Sequence, residues 1–347
     1  MSLIVDMKKR IGDFVLDVSF QTDGGVSGLL GASGSGKSMT LMCIAGIVTP
    51  DSGKIILNGA TLFDSERKIN LKPQQRRVGY LFQNYALFPN MTVRQNILCG
   101  LHGETNKAKK EALLRNMIEL MQLNGYEKQR PGQLSGGQLQ RAALGRILIG
   151  NPEILMLDEP FSALDTHLRG QLQIETQKLF KRFGKDVLFV THSRNEAYQL
   201  CKDIALIDSG RIIAYKNTKQ LFADPESRYA ALLTGCKNVA SAKKISEYEV
   251  DVPDWGVRFT TSQPVQDNLC AIGIRAHYFN AKTTQNRFPI RFTDEIESPF
   301  EYNIQFRYEN QTRESQDIWW RIAKEKRTGQ AFSEFGVAPA NIMLLYE

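Results

Sequence analysis

At 347 residues, with 42% hydrophobic and 23% charged side chains, the chain is long enough for two domains and too well mixed to be disordered. A formal charge of +7 would suit an anionic partner, the cytoplasmic leaflet or nucleic acid, yet no block of like charges stands out, and a solvated lysine-rich surface is the plainer reading. Five cysteines scattered without a CxxC pair argue against a disulfide framework or a zinc site and suit a reducing cytosol, while no segment approaches the ~20 apolar residues that span a bilayer and the N-terminus is too weakly apolar for a signal peptide.

Near the N-terminus Phe14, Leu16, Val18 and Phe20 alternate with Val15, Asp17 and Ser19, the period-two pattern of a half-buried strand. Residues 26–30 read as a strand running into the glycine-rich segment GASGSGKS, and residues 39–46 as a helix closed by Gly46. A turn at Pro50-Asp51-Ser52-Gly53 leads to a strand at 54–57, with Asn58-Gly59 as a hairpin signal. Strands then give way to helices over about 84–150. One is amphipathic at 107–123, with Leu113, Leu114, Met117, Leu120 and Met121 near one face; a second, at 138–149, opens just after Gly136-Gly137. Residues 154–157 form a wholly apolar strand suited to the middle of a parallel sheet. A helix at 168–183, a strand at 186–190 ending at Thr191-His192, and a hairpin of 204–207 with 211–215 complete an alternation that implies a doubly wound α/β sheet. Beyond Gly235 strand-like runs dominate, at 248–252, 256–261, 269–274, 288–292, 302–308, 318–322 and 342–345. The expected organisation is an α/β domain over 1–235 and an all-β barrel or sandwich over 236–347.

The segment Gly31-Ala32-Ser33-Gly34-Ser35-Gly36-Lys37-Ser38 fits GxxxxGK[ST], between a strand and a helix as that pattern requires. Its glycines let the backbone curl so that N–H groups, through Met39, face the phosphates of a nucleotide at a helix N-terminus. Lys37 adds a full charge for the β- and γ-phosphates, and Ser38 a hydroxyl oxygen for Mg²⁺. In Ile154 to Pro160, ILMLDEP, Asp158 ends the buried strand where it can anchor the Mg²⁺ shell, and Glu159 is placed as general base for water. The two segments together describe a nucleoside triphosphatase.

GASGSGKS, LFQ, LSGGQ, LMLDEP, SALD and a threonine–histidine pair stand in the order found in ATP-binding cassette (ABC) transporter ATPases, and residues 1–235 resemble that family. The resemblance implies a P-loop NTPase fold, a RecA-like core with a helical subdomain at about 84–150. It makes Gln83 the glutamine that contacts Mg²⁺ and water and senses the permease, and His192 the histidine that contacts the γ-phosphate. Ser135, Gly136, Gly137 and Gln138 would bind ATP held by a second copy of the chain, and Ser162 to Asp165 would cross the seam of that dimer. The family stacks adenine on an aromatic residue before the second strand; here that loop reads KKRIGD, leaving Arg10 as the stacking group while Phe14 belongs by its alternation to the core.

YLFQNYALFPNMTVRQNI resembles importer subunits, with Tyr85, Leu87, Phe88 and Pro89 as an exposed apolar patch for a transmembrane permease. IGIRAHYF, residues 272–279, resembles a strand of the OB-like TOBE domain that importers carry at the C-terminus. The short N-terminus and the segment at 62–83 look like molybdate and sulfate importers, with sulfate, polyamine, iron and sugar importers sharing most other motifs. The implied protein is a homodimeric ATPase using ATP and Mg²⁺, peripheral on the cytoplasmic face of the membrane. It would serve a permease and, indirectly, an extracytoplasmic binding protein, with molybdate the leading cargo and no nucleic acid partner. A soluble ABC ATPase of DNA repair or translation would carry two cassettes or a long coiled-coil insertion, which this chain lacks. A vestigial cassette serving only to bind an oxyanion would not need Lys37, Asp158 and Glu159 intact.

Overall fold

The alternating hydrophobics of the N-terminal region form a hairpin, β1 (Leu3–Ile11) and β2 (Phe14–Thr22). Its register sets Val5 opposite Phe20 and Met7 opposite Val18, so one face of the pair is continuous hydrocarbon. The structure, a computed structural model, describes residues 2–101, 104–162, 166–327 and 332–347, with the backbone alone at 166–168.

Next come β3 (Val26–Leu30), α1 (Lys37–Ala45), β4 (Ser52–Leu57), β5 (Ala60–Asp64), β6 (Ile69–Asn70) and β7 (Val78–Leu81). The helical stretch holds α2 (Val93–Leu98), α3 (Lys107–Leu120) and α4 (Gly136–Leu148). β8 (Ile154–Asp158), α5 (Thr166–Phe183), β9 (Asp186–Thr191), α6 (Arg194–Leu200), β10 (Asp203–Asp208) and β11 (Arg211–Asn217) follow. The strands make one 11-stranded sheet in the order β6-β5-β4-β1-β2-β11-β10-β3-β9-β8-β7. The run β10-β3-β9-β8-β7 is parallel, as the α/β alternation predicts, whereas the arm from β6 to β2 is antiparallel.

Ile154 and Met156 of β8 join Leu188, Val190, Leu41 and Ile44 in the core on the α1 side of the sheet. On α3 the buried stripe is Leu114, Ile118 and then Met121, spaced four and three residues apart; Leu120, expected near that face, is instead exposed.

The chain divides into two compact units, residues 1–218 and 219–347. Helices Thr218–Ala223 and Arg228–Leu233 thus precede the all-β part, ahead of the Gly235 boundary read from composition. Arg228–Leu233 packs on the strands of the second unit, and Arg275 Nη1 donates to the carbonyl of Thr234 at 3.0 Å. That unit is three antiparallel sheets around one aromatic-rich core containing Phe259, Phe306, Tyr308, Trp320 and Phe335. Strand Lys243–Ser246 was invisible to periodicity because all four of its side chains are exposed.

Arg76, 1% exposed, braces the far end of α1. Its Nη1 donates to the carbonyls of Cys43 and Ile44, each at 2.8 Å, Nε to Leu71 O and Nη2 to Asn70 Oδ1. A cation there adds donors to carbonyls of the last turn, of which Cys43 O also accepts the Gly46 N–H at 3.1 Å, and complements the negative pole of the helix. Arg76→Met fills similar space with no donors, and should destabilise the first unit by about 3 kcal/mol, read as a lowered urea midpoint.

Candidate functional site

β3 delivers residues 31–38 to the C-terminal edge of the parallel strands, and two glycines shape the loop there. A Cβ on Gly31 would collide with the carbonyl oxygen of Ile207. Gly36 has φ 103° and occupies the N-cap of α1 without a capping side chain. The first-turn N–H groups of α1 therefore receive no side-chain cap, an arrangement that attracts an anion. Lys37, 4% exposed, curls back so that Nζ donates to Gly31 O at 3.0 Å and Ala32 O at 2.7 Å. Burial pulls its pKa down against the opposing pull of the Glu159 and Asp158 carboxylates. Ser35 Oγ is buried and has no hydrogen-bond partner among the described residues, one more polar atom that an anionic guest could satisfy. Ala32, Ser33 and Gly34 are exposed, while Met39 is half-buried against the core.

Ser38 Oγ donates to Asp158 Oδ1 at 2.8 Å and Tyr80 Oη to Oδ2 at 2.9 Å. Burial, with the adjacent Glu159 charge, raises the Asp158 carboxyl above the usual carboxylate range, and these two bonds and the charge of Lys37 offset part of that rise. A hydroxyl and a carboxylate adjoining on the floor of a cationic loop are the oxygen donors a Mg²⁺–nucleotide needs, so the residues fit that group. Glu159 adopts the left-handed region, φ 45°, with its N–H donating to Val190 O at 3.0 Å. That turn sends its side chain to His192, whose Nδ1 lies 3.0 Å from Oε2. Ser162 Oγ donates to Glu159 O at 2.9 Å, and Gln83 Nε2 donates to Ser162 Oγ at 3.2 Å. Gln83 thus reaches Glu159 through Ser162; among the described residues it has no bond to Ser38 or Asp158.

Ser135 caps α4 in a reciprocal box with Gln138: Ser135 N–H donates to Gln138 Oε1 at 2.8 Å, and Gln138 N–H to Ser135 Oγ at 3.4 Å. Gly136 opens the helix, and Gly137 is buried beside Leu172, which a Cβ there would meet at 3.4 Å, an ordinary contact. Among the described residues no hydrogen bond joins 135–138 to the loop at 31–39. Asp165 lies outside the described residues.

Tyr85 is not exposed as its sequence neighbourhood predicted: it is 6% exposed, with its hydroxyl donating to Pro160 O at 3.2 Å. Phe88 and Pro89 are exposed as expected, Leu87 is half-buried, and Phe82, outside the expected patch, adds to the apolar surface. Arg146 holds this segment through the carbonyls of Tyr85 and Ala86 and lies 5.4 Å from the Phe88 ring. Arg10 has an exposed side chain, and its N–H donates to Asp51 Oδ2 at 2.7 Å. Phe14 packs half-buried against the core, as expected, and also abuts Gly36. The phenol of Tyr80 carried no motif and was not singled out in the sequence.

The family described as "ABC transporter" matches residues 16–162. The molybdenum import ATP-binding protein ModC of Paramagnetospirillum magneticum is 38% identical over 226 residues, 65% of this chain and 62% of that protein. The chain therefore spans about three fifths of that relative. The probable sulfate/thiosulfate import ATP-binding protein CysA of Chlorella vulgaris is 40% identical over 239 residues, 68% of this chain and 99% of its own length. The spermidine/putrescine import ATP-binding protein PotA of Oleidesulfovibrio alaskensis is 36% identical over 238 residues, 68% and 58% of the two lengths. Among solved structures, the dimeric post-hydrolysis state of the ATP-binding cassette MJ0796 bound to ADP and Pi superposes with a TM-score of 0.52 at 26% identity, covering 63% of this chain and 99% of the other.

Lys37→Ala removes the buried cation from the loop. Affinity for a fluorescent ATP analogue is expected to fall by more than about tenfold, the loss of charge-assisted hydrogen bonds, measured by fluorescence titration.

Proposed function

Since this chain belongs to the ABC transporter family of ATP-binding proteins, we propose that it is the ATP-hydrolysing subunit of an importer, acting as a head-to-tail pair of copies under a transmembrane permease. One observation carries this reading. The loop at 31–38 is bonded to Asp158 through Ser38, and the adjacent Glu159 is bonded to His192, while among the described residues the glycine-rich N-terminus of α4 makes no hydrogen bond to any of them. A site with its second anion-binding turn elsewhere calls for a second copy to bring that turn in.

In this mechanism the N–H groups of residues 31–39 and Lys37 hold the phosphates of ATP. Ser38 and Asp158 would hold Mg²⁺, which when bound offsets charge on the phosphoryl oxygens. Gln83 is held near Glu159 through Ser162, and in this reading it would contact the metal and the attacking water. Glu159 takes a proton from water as the water oxygen attacks the γ-phosphorus; the bond to the β-phosphate oxygen breaks and ADP leaves with its electron pair. His192, anchored by Glu159, contacts the γ-phosphate. Ser135 to Gln138 of the other copy face the same phosphate with the positive end of a 13-residue helix. Closure of the pair on ATP, and its reopening after hydrolysis, is the mechanical output.

Phe82 and Phe88 form the surface for the permease. No described helix is long and apolar enough to cross a membrane, and the proposed location is peripheral, at the cytoplasmic membrane face. Residues 236–347 form the TOBE-like regulatory domain of this reading. For cargo we take an oxyanion, molybdate first, delivered by an extracytoplasmic binding protein. The identity to CysA over nearly that relative's whole length favours sulfate as the second reading.

Glu159→Gln should retain ATP binding, lower hydrolysis by about 10²–10⁴-fold and accumulate an ATP-bound dimer on gel filtration. A monomeric variant with normal turnover would refute the sandwich. With permease and binding protein in proteoliposomes, molybdate should stimulate hydrolysis more than sulfate does; stimulation by sulfate alone moves the cargo to the second reading.

A further inference from the structure

Tyr80 lies on β7, the edge strand of the sheet, three residues before Gln83. The parallel register sets it opposite Met156, and both side chains enter the core on the α1 side. Asp158 stands two residues beyond Met156 and so shares that side. Strand parity therefore brings a phenol to a carboxylate 78 positions away in sequence, with Oη donating to Oδ2 at 2.9 Å.

Two donors now grip one carboxylate from opposite sides, Ser38 on Oδ1 at 2.8 Å and Tyr80 on Oδ2. Asp158 is only 6% exposed, so these neighbours, not bulk water, decide its rotation. The terminal torsion of an aspartate is broad and nearly two-fold; with a donor on each oxygen, turning it breaks a bond in a buried site. The Tyr80 ring is itself set against Phe82, edge to face with centroids 4.4 Å apart.

We infer that Tyr80 is a positioning residue for the divalent cation. By clamping Oδ2 of Asp158 it presets Oδ1 and Ser38 Oγ as one pair of oxygens, and it ties that pair to the strand that leads to Gln83. The role belongs to the hydroxyl, not the ring. This rests on the Mg²⁺–nucleotide reading of the site.

The test uses the full chain carrying Tyr80→Phe, which keeps the ring and loses the donor. Mn²⁺ is titrated in the presence of a nonhydrolysable ATP analogue, with free Mn²⁺ followed by electron paramagnetic resonance. The Mn²⁺ dissociation constant should rise about tenfold, the usual cost of losing a partner of a metal ligand. Affinity for the analogue in chelator should stay unchanged. Half-maximal hydrolysis should need more Mg²⁺, with turnover at saturating Mg²⁺ largely restored. Equal Mn²⁺ affinity in the two chains overturns the inference. Should the phenylalanine variant not fold, Tyr80→Met is compared with Phe82→Leu, which loosens the ring packing but keeps the hydroxyl. If both weaken Mn²⁺ alike, packing is responsible and the inference falls. An unsubstituted chain without nucleotide-dependent Mn²⁺ binding would instead refute the reading of the site itself.

Discussion

Asp158 ends a strand whose five residues are all buried, and an ionised carboxylate is tolerated there only because donors reach it. Ser38 comes from the first turn of α1, Tyr80 from the edge strand, and the ammonium of Lys37 lies near enough to favour the charge. The same interactions that relieve the buried charge join the glycine loop to the end of β8. The rest of the site is arranged around that junction.

The parallel register explains why so many groups meet there. Leu30 pairs with Thr191 and Asp158 with Val190, so the strands carrying the loop, the two acids and the histidine end at one edge. Glu159 turns through the left-handed region just past that edge, and its side chain reaches His192 instead of continuing the strand. Gln83 follows the neighbouring edge strand and joins through Ser162. Chemistry drawn from four places in the chain thus shares one rigid frame.

Helix α1 is held at both poles. The Arg76 guanidinium occupies its last carbonyls, and the uncapped Gly36 leaves the N-terminal donors to an anionic guest. Both follow from the same dipole: a cation is favoured at one end, an anion at the other. The relatives divide among molybdenum, sulfate/thiosulfate and spermidine/putrescine importers while remaining similar to this chain over about two thirds of its length. A shared ATP-handling frame accounts for that, since cargo is selected by other subunits in the proposed assembly.

By itself the sequence determined the parts whose geometry is local. A glycine loop between a strand and a helix and a strand of unbroken hydrocarbon ending in acids each need only a few consecutive residues. Lys37, Ser38 and Asp158 were legible for that reason, whereas Ser135 was named through the family resemblance and its capping role came from the structure. Periodicity likewise located most strands beyond Gly235, but not Lys243–Ser246, which has no buried face to report. Only the tertiary structure decided what depends on a distant partner. Tyr85 sits in an apolar run that looks exposed, yet it is buried because Pro160 offers it an acceptor. Arg76 is one of several basic residues in its segment until the last turn of α1 arrives to receive it. Tyr80 becomes part of the site only when β7 pairs in parallel with β8, because register, not spacing along the chain, decides which side chains face each other across a sheet.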